Sequence, residues 1–323
     1  MVFRSIIRSW RRRKVRRAIA DVRTLTVGDI MSHYLITVRP DETVVGAATK
    51  MVAEAISCLV VMDGEKLAGI VTERDYLHKV PVTGDSFKMR VRDIMTPGVV
   101  TVVPSMPLVD AVRMMKEKHF RRLVVANNGK LLGVVTQNDL LRVIAKHFRT
   151  YPMHKDLALD AFMSKDLLFA TMKETFAHAR ERMHKRNVGC ILIVDKLTAP
   201  QTVQGIFTEY DIVMQFYEQQ GKPRLRELEA FMRKYVRALE PGTGAFEATR
   251  FALDKSIRRL PVADGAVVRG IATETDLVRF VFLNLEKIST LLDKPETEFR
   301  RFGRHTEFRG AFHGDHLKVY GLV

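Results

Sequence analysis

Residues 69–75 read GIVTERD, and near-copies of this stretch occur three more times along the chain. The copies are GVVTQND at 133–139, GIFTEYD at 205–211 and GIATETD at 270–276. Each keeps a glycine, a threonine and an aspartate in the same order and at the same steps of three residues. A single helix start needs no repetition, whereas a repeated structural unit does. The sequence therefore predicts a chain built from four copies of one unit.

Fixed spacings extend the four copies toward the N-terminus. A methionine stands 28 residues before an apolar run in every copy, and the four methionines are Met31, Met95, Met163 and Met232. The third copy departs from the common spacing where LTAPQT, residues 197–202, lengthens one connection. These spacings predict an N-terminal arm at 1–24, four repeats at 25–80, 89–148, 157–218 and 226–285, and a C-terminal extension at 286–323.

Apolar periodicity in the first repeat predicts the element order β-α-β-β-α. LITV at 35–38 is typical of a short strand, Pro40 is expected to open a helix, and two β-rich runs around Gly64 indicate a hairpin. A second helix is predicted to start at Thr72. The fourth repeat begins with RKYVRALEPGTG, residues 233–244, which predicts a poor first strand. Because one small sheet cannot bury both of its faces, we expect an α+β fold in which repeats pack in pairs.

The element order and the ending Gly-hydrophobic-x-Thr-x-x-Asp resemble the CBS domain, a regulatory module of about this size. The resemblance covers all four repeats. It implies two pseudo-two-fold pairs, known as Bateman modules, in an arrangement similar to the γ subunit of AMP-activated protein kinase. It also implies clefts that bind an adenine nucleotide (AMP, ADP or ATP) as a regulatory ligand, and S-adenosylmethionine shares the same base and diol.

The threonine and aspartate of each copy allow two interpretations. In a capping box, the threonine caps the helix and the carboxylate three residues later faces the positive helix end. In a nucleotide site, the carboxylate accepts ribose hydroxyl hydrogens while the helix start faces phosphate, and the glycine lets the backbone approach the ligand. The resemblance implies the ribose role for Asp75, Asp139, Asp211 and Asp276. It implies the phosphate role for Thr72, Thr136, Thr208 and Thr273.

The residue before each apolar run separates odd from even repeats. Repeats 2 and 4 carry Arg122 and Arg259 there, whereas repeats 1 and 3 carry cysteine. Arginine pairs two phosphate oxygens at once, so we expect these two arginines to be phosphate ligands, as the resemblance also implies. The alternative is a strand-edge arginine paired with an acid such as Asp110. By the resemblance, the adenine would lie near the first-strand residues Thr37 and Thr101.

Positive charge is concentrated at the N-terminus of a chain whose net charge is +16 and whose isoelectric point is about 10.0. The first 20 residues contain no acid, and their basic residues are Arg4, Arg8, Arg11, Arg12, Arg13, Lys14, Arg16 and Arg17. Apolar residues at roughly helical spacing among them are Phe3, Ile6, Ile7, Trp10, Ala18 and Ile19. The arm is therefore predicted to be a basic amphipathic helix. It either packs its apolar stripe on its own domain or binds a polyanion, with RNA or DNA first and an anionic membrane second.

Composition also limits the class of protein. Two cysteines, Cys58 and Cys190, are too few for a disulfide framework or a cysteine-based zinc site, so a reducing, cytoplasmic location is expected. They are expected to be small, buried side chains. The sequence shows no nucleophile elbow, no P-loop, no apolar run that spans a bilayer and no convincing pair of catalytic carboxylates. We therefore expect no catalysis, no metal and no transmembrane segment. In the C-terminal extension, His313, Gly314 and Asp315 are expected to form the turn of a small hairpin.

These observations favour a regulatory protein that binds adenine nucleotides in its CBS clefts and docks through basic segments on a nucleic acid. The ribosome, through its rRNA, is the first expected partner, in the manner of a hibernation-type silencing factor, because archaeal CBS-repeat proteins include such factors. A DNA-binding transcription regulator is the next. The alternative class is a nucleotide-sensing regulator of a kinase, transporter or enzyme through protein contacts. A homodimer through the Bateman modules is compatible with either class.

Overall fold

The structure is a computed structural model that describes residues 2–81, 86–148, 157–198, 201–218, 226–234, 236–265, 267–291 and 305–308. The side chains of 2–12, 291 and 305–308 are outside this description. The expected hairpin turn at 313–315 lies outside the described residues as well.

The described residues form eleven α-helices and thirteen strands. The helices are α1 Val2–Thr24, α2 Val44–Ala53, α3 Glu73–Lys79, α4 Val91–Ile94, α5 Leu108–Glu117, α6 Gln137–His147, α7 Phe176–Arg186, α8 Glu209–Glu218, α9 Ala245–Asp254, α10 Glu274–Leu283 and α11 Leu285–Leu291. The strands are β1 Thr37–Val38, β2 Cys58–Asp63, β3 Lys66–Thr72, β4 Thr101–Val102, β5 Arg122–Asn127, β6 Lys130–Thr136, β7 Phe169–Ala170, β8 Cys190–Val194, β9 Val203–Thr208, β10 Val236–Leu239, β11 Arg259–Asp264, β12 Val267–Thr273 and β13 His305–Phe308.

Each repeat has its own small mixed sheet. The first strand runs parallel to the second, and the second and third form an antiparallel hairpin, as in the order β1-β2-β3. The sheets β4-β5-β6 and β7-β8-β9 follow the same order, and the fourth sheet has the order β12-β11-β10-β13. The helix between the first two strands makes the parallel crossover, and the second helix follows the third strand. The predicted α+β fold of four β-α-β-β-α repeats is confirmed.

Two local predictions differ from the structure. The first helix of repeat 1 begins at Val44 rather than at Pro40, because Thr43 caps it by accepting a hydrogen bond from the Gly46 amide at 3.0 Å. The prediction of a poor first strand in repeat 4 is wrong. Strand β10 has four residues, whereas β1, β4 and β7 have two each. Its Val236, Ala238 and Leu239 are buried, and this burial outweighs the low strand propensity of the flanking residues.

The chain divides into two compact units. Unit 1 comprises the described residues of 1–34, 100–166 and 237–306, and it contains the sheets of repeats 2 and 4. Unit 2 comprises the described residues of 35–99 and 167–236, and it contains the sheets of repeats 1 and 3. In unit 1, α10 packs against α5, α6 and α9. In unit 2, α8 packs against α2 and α3.

The first residues of each repeat pack on the hairpin of a different repeat. In unit 1, Ser32 pairs with Val134 of repeat 2, and the two backbone hydrogen bonds measure 2.9 and 3.0 Å. Conversely, Thr96, which precedes the body of repeat 2, pairs with Ile70 of repeat 1 in unit 2. Repeats 3 and 4 do the same through the pairs Ser164–Ile271 and Ile206–Arg233. We call 25–34, 89–96, 157–164 and 226–233 the exchanged segments.

The repeated glycine is the point where each exchanged segment contacts its hairpin. A Cβ atom on Gly133 would lie 2.5 Å from the backbone oxygen of Ser32 and 3.2 Å from the sulfur of Met31. The corresponding backbone distances at Gly69, Gly205 and Gly270 are 2.9, 2.8 and 2.8 Å. Each glycine therefore makes room for an exchanged segment and its methionine, rather than for a ligand as expected. The same packing of methionine against glycine explains why the spacing between the methionine and the apolar run is identical in all four repeats.

Helix α1 closes one side of the core of unit 1. Its Val15, Ala18, Ile19 and Val22 are buried, and the helix packs against α5, α6 and α11. The expected apolar stripe is thus confirmed at Ala18 and Ile19, whereas its other predicted members lie outside the described side chains. None of the helices in the described part of the chain is long and apolar enough to cross a membrane.

A buried arginine joins repeats 1 and 3 in the core of unit 2. Arg180 of α7 is 7% exposed, and its Nη2 donates to the carbonyls of Tyr76 and Leu77 at 2.9 Å each and to that of Val80. These carbonyls lie at the end of α3, where helix geometry leaves them without an intrahelical donor. Burial lowers the pKa of Arg180 to about 10, so it stays charged at neutral pH.

Candidate functional site

All four Thr-x-x-Asp copies fold into the same helix start. In each, Oδ2 of the aspartate accepts hydrogen bonds from the backbone N–H and the hydroxyl of the threonine. The N–H···O distances are 2.8, 2.8, 2.7 and 2.9 Å for Thr72, Thr136, Thr208 and Thr273, and the hydroxyl distances are all 2.7 Å. The capping-box interpretation is therefore confirmed in repeats 1, 2 and 4, and repeat 3 has the same two bonds from Thr208 to Asp211. These bonds use one carboxylate oxygen and leave the other for a second role.

Each helix start is also fastened to its own hairpin. The first helical amide donates to the carbonyl of the residue just before the second strand, as Gln137 does to Arg121 at 3.2 Å. Glu73, Glu209 and Glu274 make the same bond at 3.2, 3.1 and 3.2 Å. Together with the capping box, this bond fixes the position of the carboxylate relative to the sheet. A fixed carboxylate is the kind of preorganised acceptor that a binding site requires.

Strand register brings the candidate phosphate and ribose ligands of the even repeats together. Arg122 is the cross-strand neighbour of Thr136, and Arg259 is that of Thr273. Residues directly opposite each other in an antiparallel pair have neighbouring side chains. Each even repeat thus combines an arginine, a helix start and a carboxylate on one edge of its hairpin. Asp110, the alternative partner considered for Arg122, forms an ion pair with Arg113 at 2.5 Å.

Repeats 1 and 3 carry a cysteine in place of that arginine. Cys58 lies opposite Thr72, and Cys190 lies opposite Thr208. Neither cysteine forms a disulfide within the described residues, and both are half-buried, so the expectation of small side chains at matching positions holds while full burial does not. A thiol supplies no positive charge for a phosphate group. The hairpins of the odd repeats therefore lack the cation that the even ones provide at this register position.

The second carboxylate oxygen also differs between odd and even repeats. In repeat 1, Oδ1 of Asp75 lies 2.8 Å from Nζ of Lys79 and 3.4 Å from the hydroxyl of Thr96. In repeat 3, Oδ1 of Asp211 lies 3.5 Å from Nε of Arg233. Among the described residues, no basic side chain forms an ion pair with Asp139 or Asp276. Within the described residues, the second oxygen of each even-repeat aspartate therefore has no ion-pair partner, and the only basic charge that acts on Asp276 is the more distant one of Arg279.

Burial acts on the carboxylate of repeat 4. It raises the pKa of Asp276, and the two hydrogen bonds from Thr273 and the charge of Arg279 offset this only in part. A carboxylate with a raised pKa lacks solvation of its charged form. Two further donors, such as the hydroxyls of a ribose, would supply that solvation.

The candidate adenine-side residues lie at the same sheets as the aspartates. Thr37 pairs with Val60 on the central strand, two residues from Cys58, and Thr101 pairs with Val124, two residues from Arg122. Because side chains alternate along a strand, each threonine shares a sheet face with the start of the central strand. Both threonines are exposed.

The candidate nucleic-acid residues all lie in helix α1. Arg13, Lys14, Arg16 and Arg17 are exposed on its outer side, opposite the buried stripe. The side chains of Arg4, Arg8, Arg11 and Arg12 are outside the described residues.

Three residues near the aspartates were not predicted from the sequence, namely Lys79, Thr96 and Arg233. Lys79 follows Asp75 by four residues on a helix, a spacing that is a readable signal for an ion pair. Within the described residues, no group of three or more potential metal ligands occurs.

Comparison with known proteins agrees with these observations. The chain is 40% identical over 125 residues to an uncharacterized protein of Methanopyrus kandleri, and the match covers 38% of this chain and 64% of that protein. It is 26% identical over 271 residues to an uncharacterized protein of Methanocaldococcus jannaschii, with 79% of this chain and 61% of that protein covered. The match thus spans less than two thirds of the length of each of these relatives.

Structural comparison finds the same architecture. A crystal structure of a Methanocaldococcus jannaschii protein, proposed as an archaeal homolog of g-AMPK, superposes with a TM-score of 0.68 at 18% identity. The superposition covers 79% of this chain and 99% of that one, and at this identity it shows the fold alone. The sequence model of the CBS domain matches residues 27–82, 91–146, 156–218 and 225–283. With four matched domains and the corresponding fold, this chain belongs to the CBS domain family.

Proposed function

We propose that this chain is a non-catalytic regulatory protein that binds an adenine nucleotide at the Thr-x-x-Asp helix starts of its CBS repeats. The single observation that carries the proposal is the constellation in the even repeats. There an arginine, a capped helix start and a carboxylate whose second oxygen has no ion-pair partner among the described residues share one hairpin edge. The arginine and the positive end of the helix would bind the phosphate of a nucleotide, and the carboxylate would accept hydrogen bonds from its ribose diol.

A conservative change at the aspartates tests nucleotide binding. Asparagine keeps an oxygen that accepts from Thr136 or Thr273, so Asp139→Asn with Asp276→Asn should leave the helix caps in place. It removes the charged second oxygen, and the rise in melting temperature on adding AMP, ADP or ATP should disappear. For the wild-type protein, ligand at about 100 times its Kd stabilises the fold by about 2.7 kcal/mol, which differential scanning fluorimetry detects as a shift of several degrees.

The matched control is Asp264→Asn, because Asp264 is an exposed acid that pairs with Arg269 outside the candidate site. It should retain the full nucleotide shift. If none of the three nucleotides changes the melting temperature of the wild-type protein, the nucleotide proposal is rejected.

A specific observation favours a nucleic-acid partner as the second part of the function. The described outer side of α1 presents four exposed basic side chains, Arg13, Lys14, Arg16 and Arg17. Each phosphate of RNA that such a side chain neutralises releases a counterion and strengthens binding. We therefore propose RNA, with rRNA as the first example, as the partner of this face, and DNA and protein partners become outcomes of the test.

Charge reversal on α1 should weaken RNA binding and make it less dependent on salt. The triple variant Arg13→Glu, Arg16→Glu, Arg17→Glu leaves the buried stripe intact, so the helix should still pack. Binding of a fluorescein-labelled 20-nucleotide RNA is measured by anisotropy between 50 and 200 mM KCl. The slope of log K against log salt should fall by about 0.7 for each phosphate contact that is lost.

The control for charge itself is a second triple reversal at exposed basic residues outside α1, namely Lys66, Lys185 and Arg269. This variant carries the same net charge change and should bind RNA more tightly than the α1 variant. Equal losses in the two variants would show that net charge, and not a surface on α1, determines the affinity. A duplex DNA of the same length decides between RNA and DNA.

A further inference from the structure

In repeats 1 and 3, a basic side chain covers the second oxygen of the aspartate at the helix start, and we call these helix starts closed. Those of repeats 2 and 4 have no such ion pair among the described residues, and we call them open. Lys79 lies 2.8 Å from Asp75, and both belong to α3 of unit 2. The same ammonium group also donates to the carbonyl of Ile94 at 2.7 Å and to the hydroxyl of Thr96 at 3.1 Å. It is therefore held in place by several acceptors and is not a loose surface cation. The Asp75 side chain is 9% exposed, so water screens this ion pair only weakly.

In repeat 3, an arginine rather than a lysine covers the second oxygen of the aspartate. Arg233 follows Met232 in an exchanged segment, and its guanidinium lies 3.5 Å from Oδ1 of Asp211 and over the ring of Tyr210 at 5.3 Å. The Asp211 side chain is as buried in repeat 3 as that of Asp75 is in repeat 1, at 9% exposure each. The contact is longer than that of Lys79, but the ring contact adds a second support for the guanidinium.

The position after the exchanged methionine provides a cover only in the odd-repeat hairpins. Thr96 and Arg233 occupy it in unit 2, and both approach an aspartate oxygen. The same position in unit 1 is occupied by Ser32 and Ser164. The Ser32 hydroxyl donates to the carbonyl of Tyr34 at 3.3 Å instead, and Ser164 is exposed. Neither serine supplies a positive charge at this position, in contrast to Arg233.

From these contacts we infer that Lys79 and Arg233 determine which sites take a ligand, and that the chain binds two adenine nucleotides, at Asp139 and Asp276, and not four. The inference rests on the proposed function, because it assigns that ligand to particular repeats. The ribose hydroxyls must donate to the aspartate oxygen that the ammonium or guanidinium already occupies in the odd repeats. Only the even repeats carry an arginine opposite the threonine of the helix start, and its positive charge also favours binding of the nucleotide phosphate there.

Stoichiometry tests the inference directly. Isothermal titration with AMP, run in parallel with ADP and ATP, should give two sites per wild-type chain. Arg233→Met removes the guanidinium but keeps a side chain of similar length that can rest on Tyr210, and it should add a third site. Lys79→Met should do the same at Asp75. Arg233 is 54% exposed, so its replacement leaves the fold intact even if Lys79→Met lowers stability.

The reverse exchange closes an open site. Ser164→Arg places in unit 1 the residue that unit 2 has at the equivalent position, and it should reduce the stoichiometry from two to one. Lys185→Met is the control, because Lys185 forms an ion pair with Glu181 on α7 without touching an aspartate of the helix starts. It should leave two sites.

The possible outcomes separate the two proposals. No binding of any nucleotide by the wild-type chain rejects the proposed function itself. Four sites in the wild-type chain, or unchanged stoichiometry in Arg233→Met, Lys79→Met and Ser164→Arg, overturns the role of the covering cations and leaves nucleotide binding intact.

Discussion

Replacing Gly133 by alanine should destabilise the protein by about 4 kcal/mol, because the new Cβ collides with backbone and not with a movable side-chain end. The Cβ would lie 2.5 Å from the backbone oxygen of Ser32. The exchanged segment must then withdraw, and the two hydrogen bonds between Ser32 and Val134 are lost with it. Urea unfolding followed by circular dichroism measures the change as a lower midpoint at an unchanged slope.

Two further variants identify the cause of that loss. Gly64→Asn is placed in a left-handed turn with φ of +59° and no atom within 4 Å, so asparagine should cost less than about 1 kcal/mol there. Met31→Ala combined with Gly133→Ala should not restore stability, because the backbone oxygen remains in the way. A Gly133→Ala protein with the wild-type midpoint would show that residues 25–34 do not pack on this hairpin.

The second large effect is expected at Arg180. Arg180→Met retains most of the side-chain volume but leaves the carbonyls of Tyr76, Leu77 and Val80 without their donor. Buried acceptors that lose a charged donor cost more than an average hydrogen bond contributes, so we expect a loss of about 3 kcal/mol in the free energy of unfolding. Urea unfolding again provides the measurement.

Lys185→Met on the same helix is the matched control. Lys185 pairs with Glu181, and both side chains are exposed, at 70% and 56%. Its loss should change the free energy of unfolding by less than about 0.5 kcal/mol, as is usual for exposed ion pairs. If both variants unfold at the same urea concentration, Arg180 does not hold the end of α3.

Much of the fold is predictable from the sequence because its signals are local. The hairpins, the second helices and the capping boxes each depend on residues within about twenty positions of one another, where periodicity and cap residues act directly. Strand β10 shows the limit of such signals. Its flanking Arg, Glu and Gly residues argue against a strand, but Leu239 lies in a core cluster with residues as distant in sequence as Leu108 and Leu140.

The exchanged segments are beyond local reasoning for the same physical reason. Ser32 and Val134 are about a hundred positions apart, and no propensity links residues so distant. The sequence nevertheless contains one sign of this contact, because each methionine stands at the same distance before its apolar run and such a constant spacing requires a geometric cause. For the site, the sequence identifies the threonines, aspartates and arginines. The covering of Asp211 by Arg233 is not readable, because it arises when an exchanged segment folds onto another repeat.

The exchange of segments also changes what counts as the smallest self-sufficient piece of this polypeptide. A fragment cut at the borders of one repeat would carry an exchanged segment that packs on another repeat, and the space beside its own glycine would be unfilled. Two identical fragments would satisfy both needs by trading these segments, which is the geometry of a swapped dimer. Gene duplication that joined two such partners in tandem would turn an association dependent on concentration into a covalent one, and the present pairs of repeats have the form that such an event leaves behind.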